Sequence, residues 1–142
     1  MLDVALVGCG KDKHDGSRRA FDLYKGNLTR AALSHAARNH AHVAILSAKY
    51  GLLLPDDVVD SYTLKLDQLS CPERCAWAAQ VVARLDQLTS GSPARFTIYA
   101  GKPYIETLVN HPAFRRHPEW EYADPLRGLE VGQRLSWFKA RR

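Results

Sequence analysis

Three short apolar runs stand out from a mostly polar chain: "DVALVGC" (3–9), "HVAILS" (42–47) and "RFTIYA" (95–100). The first two are continuously apolar, not alternating. That is the pattern of strands buried on both faces, as in a parallel sheet with helices on either side. Helical patterns lie between them. "NLTRAALSHAARNH" has Asn27 as an N-cap and stays alanine-rich through Ala37, before Asn39 and His40 end it. The next helix is better marked. Ser70 and Glu73 form a capping box, Pro72 falls in the first turn, and Trp77, Val81, Leu85 and Leu88 repeat at helical spacing. "TSGSP" (89–93) stops it, and the third strand follows at once.

After that strand, "PYIETLVNH" predicts a short helix and "GLEVGQRLSWFKAR" a last one, with Leu135 and Phe138 at helical spacing. Strand alternating with helix is the α/β pattern, and right-handed crossovers then give a three-layer α/β/α sandwich with a mostly parallel central sheet. Residues 51–69 are the irregular part, too long for a simple connection, and such loops inside compact domains are usually functional.

The 142 residues fit one α/β domain, 1–142, large enough to bury a core without staples. An apolar fraction of 46% and a charged fraction of 25% are ordinary for a soluble globular protein. No apolar run approaches the ~18 residues of a membrane span, and no basic-then-apolar leader opens the chain. A cytoplasmic protein without a membrane partner is expected. Cys9, Cys71 and Cys75 have no framework spacing and read as free thiols in a reducing compartment. Cys71 and Cys75 lack the histidine pair that would complete a zinc site, and His40 and His42 lack partners of their own, so no metal and no cofactor is expected. The formal charge of +5 favours an anionic partner mildly.

Ligands of open α/β sheets bind beyond the carboxyl ends of the strands. The three strand exits here read "GCGKDK", "SAKYG" and "AGKPY". Each carries a small residue or glycine and then a lysine: Lys11 (with Lys13 close behind), Lys49 and Lys102. A parallel sheet would bring these lysines towards one anion. Gly8, Gly10, Gly51 and Gly101 allow tight turns and close backbone approach, so that main-chain N–H groups can face an oxyanion. Tyr50 and Tyr104 follow two of the lysines, and aromatic faces in a basic cleft suit a nucleobase. Cys9 and Ser47 sit at strand ends beside the same cleft. Cys9 is a candidate reactive thiol, with plain burial as the alternative. Asp12 and Asp57 are the candidate acid–base groups, in the company of Asp56 and Asp60. "GCGK" is not a Walker loop, because position 5 is alanine and Asp12 replaces the required Ser/Thr, and no G-x-G-x-x-G is present.

The stretch "CGKDK…FDLYKGNLTRAA…ILSAKYGLLLPDDVVDSYTLKL" resembles a family of small bacterial and phage domains of unassigned function. That family is grouped loosely with the peroxide-stress protein YaaA and with the base-handling domain of archaeosine synthase. The matching positions are Cys9, Lys11 and Lys13; Leu23 and Tyr24; Ser47 through Leu53; Pro55 and Tyr62; Ala100, Gly101 and Tyr104; and a closing set at Gly128, Leu129, Val131, Gly132, Leu135 and Trp137. Gly26 and Thr29 depart from the pattern, where a serine and an aromatic are common. The resemblance implies a sandwich like that of uracil-DNA glycosylases and work on nucleobases, nucleotides or modified nucleic acid. The leading expectation is an N-glycosidase or base transferase. A DNA-binding module of a stress-response or repair system, or a nucleotide-binding accessory protein, is the alternative.

Overall fold

The computed structural model describes residues 1–142. Its central strand is β1 (Leu2–Gly8). The short ribbon strand β2 (Ser17–Arg19) follows, then β3 (His42–Ser47), β4 (Gly51–Leu53), β5 (Val58–Asp60), β6 (Ala94–Tyr99) and β7 (Trp120–Ala123). Five of these form one sheet in the order β4-β3-β1-β6-β7, while β2 and β5 pair antiparallel as a separate ribbon. β1 runs parallel to both neighbours, with Leu6 opposite Ala44 on one side and Ile98 on the other. β7 is parallel to β6, and only β4 runs antiparallel, so the sheet is mixed but mostly parallel.

The continuous apolar runs are explained by covering on both faces. Val4, Leu6, Leu46, Phe96 and Ile98 point to one face, beneath α3 (Cys71–Thr89), α4 (Lys102–Val109) and α5 (Pro112–Arg115). Ala5, Val7, Ile45 and Tyr99 point to the other, beneath α1 (Ala20–Leu23), α2 (Asn27–Asn39) and α6 (Val131–Lys139). Alternation with period 2 places successive side chains in two cores, which gives three layers. α3 starts as its sequence requires, with Ser70 Oγ accepting from Glu73 N–H and the Glu73 carboxylate accepting from Ser70 N–H. Trp77, Val81 and Leu85 are buried on its inner face, each contributing roughly 1.5–3 kcal/mol.

Several sequence expectations are corrected. Leu88 is 44% exposed, and the buried stripe of α3 continues from Leu85 to Thr89 instead. Asn27 is the first helical residue of α2 and Gly26 is the N-cap, without a side-chain cap bond. The irregular segment 51–69 contains β4, β5 and a 3-10 turn at Leu66–Gln68. These strands have three residues each, too short to leave a periodic signal. β7 escapes notice because "WEYA" is bounded by polar residues and half exposed at the sheet edge.

β3, β1 and β6 are adjacent and parallel, so their carboxyl ends lie along one edge. The connection from β1 to β3 passes through α2 on one face, and that from β3 to β6 through α3 on the other. The chain therefore reverses its winding between β1 and β6, the position where open α/β sheets bind ligands. The two strand ends approach closely there: a Cβ on Gly8 would stand 2.7 Å from Ala100 Cβ.

Candidate functional site at the β1 and β6 exits

A cavity of about 220 Å³ opens at this point. One wall is the β1 exit, Cys9, Gly10, Lys11 and Lys13. A second is the segment Thr63–Asp67, and the third is the start of α4, Pro103 and Tyr104. Three of the eleven lining residues are lysines (Lys11, Lys13, Lys65), and Asp67 is the sole carboxylate among them. Opposed charges in a small concavity suit an anionic ligand with a group that exchanges a proton. Gly10 is glycine for a steric reason, since a Cβ there would run into Thr29 Oγ1 of α2.

Behind the cavity lies a buried hydroxyl network. The Ser47 hydroxyl donates to the Tyr62 hydroxyl at 2.7 Å, and the Tyr62 and Tyr24 hydroxyls pair at 2.8 Å. Ser47 Oγ also accepts from Tyr50 N–H (3.1 Å), and the Ser47 carbonyl accepts from Trp77 Nε1 (2.8 Å). Every polar atom of the strand end is thereby occupied, as burial demands. Cys9 Sγ and the Tyr104 hydroxyl are 2.9 Å apart at the cavity wall. Burial pushes the Tyr24, Tyr62 and Tyr104 hydroxyls well above the ordinary tyrosine range, and the Cys9 sulfur beside them adds to it. These phenols are neutral donors and acceptors. Lys13 is half-buried, its ammonium 4.3 Å from the Tyr62 ring centre and 5.7 Å from that of Tyr24, and burial lowers its pKa.

The structure brings some of the expected residues together and separates others. Cys9, Gly10, Lys11, Lys13 and Tyr104 line the cavity, while Ser47 lies behind it in the network. Lys49 and Lys102 do not line it, which corrects the expected three-lysine cluster. The β3 exit turns straight back into β4 through Gly51 (φ +76°), and this reversal carries Lys49 outward over the Tyr50 ring. Lys102 opens α4 with its side chain 80% exposed, 3.6 Å from Glu106. Tyr50 is spent on structure: its hydroxyl donates to the Asp60 carbonyl and its ring meets Tyr62 edge-on. Gly101 is the N-cap of α4 and lines a neighbouring hollow instead.

Neither expected aspartate reaches the cavity lining. Asp12 is exposed beside the start of α2, and the Asp57 carboxylate accepts from Leu54 N–H (2.9 Å) with Arg84 3.8 Å away. Asp67 and Lys65 take their place, and reading the sequence missed both. Each lies in the irregular segment, where no periodicity says which way a side chain faces. Arg134 was also missed. Its guanidinium donates to the Ala100 carbonyl and the Leu129 carbonyl, 2.9 Å each, and so ties α6 to the β6 exit.

A second hollow of about 480 Å³ lies on the α2 and α6 side of the same strand exits, mostly apolar, sharing Cys9 and Gly10 with the first. The largest hollow, about 730 Å³, lies farther out between α2 and α6. No group of three or more His, Cys, Asp or Glu side chains is placed to hold a metal ion, and no helix is long and apolar enough to cross a membrane. A search of curated proteins finds no match to the chain. A family model described as "Family of unknown function (DUF6884)" matches residues 4–140, nearly the whole chain, and the protein belongs to that family.

Proposed function

We propose that the crevice at the β1 and β6 exits binds a phosphate-bearing nucleobase derivative and hydrolyses or exchanges its N-glycosidic bond. The observation that carries this is the lining: three lysines and one carboxylate around a cavity of about 220 Å³ at the sheet's winding reversal. Lys11, Lys13 and Lys65 hold the phosphate, and Tyr104 presents an aromatic wall to the base. Asp67 takes a proton from water as its oxygen attacks the anomeric carbon. The carbon–nitrogen bond breaks, and its electron pair leaves with the base. Water, or an incoming base in an exchange, is the only co-substrate this needs.

The α/β/α layering with a mostly parallel sheet supports a likeness to uracil-DNA glycosylases and to YaaA-type proteins, carried until here by sequence motifs. Three free thiols support a cytoplasmic setting. The test is release of free base, read by chromatography, from nucleosides, nucleotides and oligonucleotides. Asp67→Asn should abolish release and keep binding, whereas Lys13→Ala should weaken binding. A wild-type protein that binds none of these compounds overturns the reading. A non-catalytic DNA-binding module is the outcome if duplex DNA binds with a steep salt dependence and alanine at Lys11 and Lys13 leaves that binding intact.

A further inference from the structure

The groove between α2 and α6 is strongly charged and without counter-charge. Four cations line it, Arg30, Arg38, Lys139 and Arg142, together with Asn27 and Ser34 and no acid. None of the four forms an ion pair with a carboxylate anywhere in the structure. Two of them are held in place: Arg30 donates to the Phe21 and Tyr24 carbonyls, and Arg38 donates to Ser34 Oγ at 2.7 Å. Four like charges along α2, the end of α6 and the residues just after it raise the local potential, and an anion of matching length lying between them would be attracted. From Asn27 to Arg38 the wall is about 16 Å long, at 1.5 Å per helical residue, longer than a single phosphate needs.

The groove also leads to the strand exits. α2 begins beside Gly10, and α6 is fastened to the β6 exit by Arg134. Phe138 lines both this groove and the apolar hollow of about 480 Å³, which in turn shares Cys9 and Gly10 with the crevice. The three concavities form one chain of neighbours.

We propose that this groove carries the phosphate backbone of a single-stranded nucleic acid whose base enters the crevice, so that the substrate is a strand and not a free nucleotide. The proposal rests on the crevice reading above and adds the substrate class. A strand is preferred to a duplex because a stacked, paired base cannot reach a crevice without being flipped out first.

The experiment is fluorescence anisotropy with a labelled single-stranded DNA twelve-mer, compared with the same sequence as duplex, with poly-glutamate and with a nucleoside monophosphate, at 50 to 200 mM salt. If each of the four cations neutralises one phosphate, the groove's share of the slope is roughly −2.8, which is a roughly 50-fold fall in affinity for the strand over that range. Arg38→Ala/Lys139→Ala, both exposed, should leave the thermal midpoint unchanged, reduce the groove's share of the fall to roughly sevenfold, and keep monophosphate affinity within about twofold. Strand binding in this variant that matches wild type overturns the groove proposal, as does tighter binding of duplex or poly-glutamate. Groove-dependent strand binding with no monophosphate binding and no effect of Lys13→Ala unseats the crevice reading and leaves the groove standing.

Discussion

The Lys13 ammonium sits 4.3 Å from the centre of the Tyr62 ring, and the hydroxyl of that ring accepts from Ser47 at 2.7 Å. The β3 end thus holds, through Tyr62, a lysine from the β1 exit. A cation over a partly desolvated aromatic face gains about 1–2 kcal/mol. Tyr62→Phe keeps that face but leaves buried hydroxyls of Ser47 and Tyr24 short of a partner, a cost of about 1–3 kcal/mol. Urea unfolding should show this loss, while nucleotide affinity stays near wild type. Tyr62→Leu removes the face too and should weaken both.

Burial lowers the Lys13 pKa, against smaller opposing effects of Cys9 and Asp12, and this sets a pH dependence for binding. A bound phosphate favours the charged amine, so binding takes up a proton wherever free Lys13 is already neutral. Affinity should therefore hold at neutral pH and fall on the alkaline side, starting below the ordinary lysine value of 10.5. The unfolded lysine binds its proton more tightly than the folded one, so the same group makes stability rise with pH in that window. Titration calorimetry across alkaline pH checks the binding arm. Lys13→Arg should move the fall to higher pH.

The two strand exits allow no side chain at Gly8. An alanine there would stand 2.7 Å from Ala100 Cβ and 3.1 Å from its Cα, and backbone cannot swing aside. Gly8→Ala should cost about 1–3 kcal/mol, as overpacking does. Gly132, in the first turn of α6, has nothing within 4 Å of a new Cβ, so Gly132→Ala should gain a few tenths to ~1 kcal/mol. Thermal midpoints of the two variants should move in opposite directions.

Much of the frame was legible because continuous apolar runs and one capping box have few alternative readings. β1, β3, β6 and α3 are found where these patterns lie. The position of the cavity was legible too, since the β1 exit announces itself with Cys9, Gly10, Lys11 and Lys13. What failed was the direction of single side chains. Lys49 and Lys102 follow strands just as Lys11 does, yet one is turned out by the return into β4 and the other by the first turn of α4. Lys65 and Asp67 face inward only because the tertiary fold places the segment 63–67 over the β1 exit. Tyr24 and Tyr62 belonged to the resemblance, but their joint role needs the 2.8 Å contact between residues 38 apart in sequence.

The roles proposed for the carboxylates can be separated by substitution. Asp67→Asn should remove base release with little change in binding, since the amide keeps the shape and loses the base. Asp57→Asn should leave release intact and cost about 1 kcal/mol of stability, because its acceptor for Leu54 N–H is weakened. Asp12→Asn, exposed at the α2 start, should change neither by much. Release rates and unfolding curves of the three variants separate the cases. Loss of release in Asp12→Asn with full activity in Asp67→Asn would reverse the assignment.

The proposed ligand site is one crevice, bounded by Cys9–Lys13, Thr63–Asp67 and Tyr104. The most direct measurement is a two-dimensional NMR titration of the labelled protein with a nucleoside monophosphate and with the matching nucleoside. The monophosphate should shift the amides of Cys9, Gly10, Lys11 and Tyr104 and the segment 63–67, the nucleoside should do so far more weakly, and Lys13→Ala should blunt the response. Saturable shifts confined to other surfaces would place the ligand elsewhere, and equal responses to nucleoside and monophosphate would rule out a phosphate held by the crevice lysines.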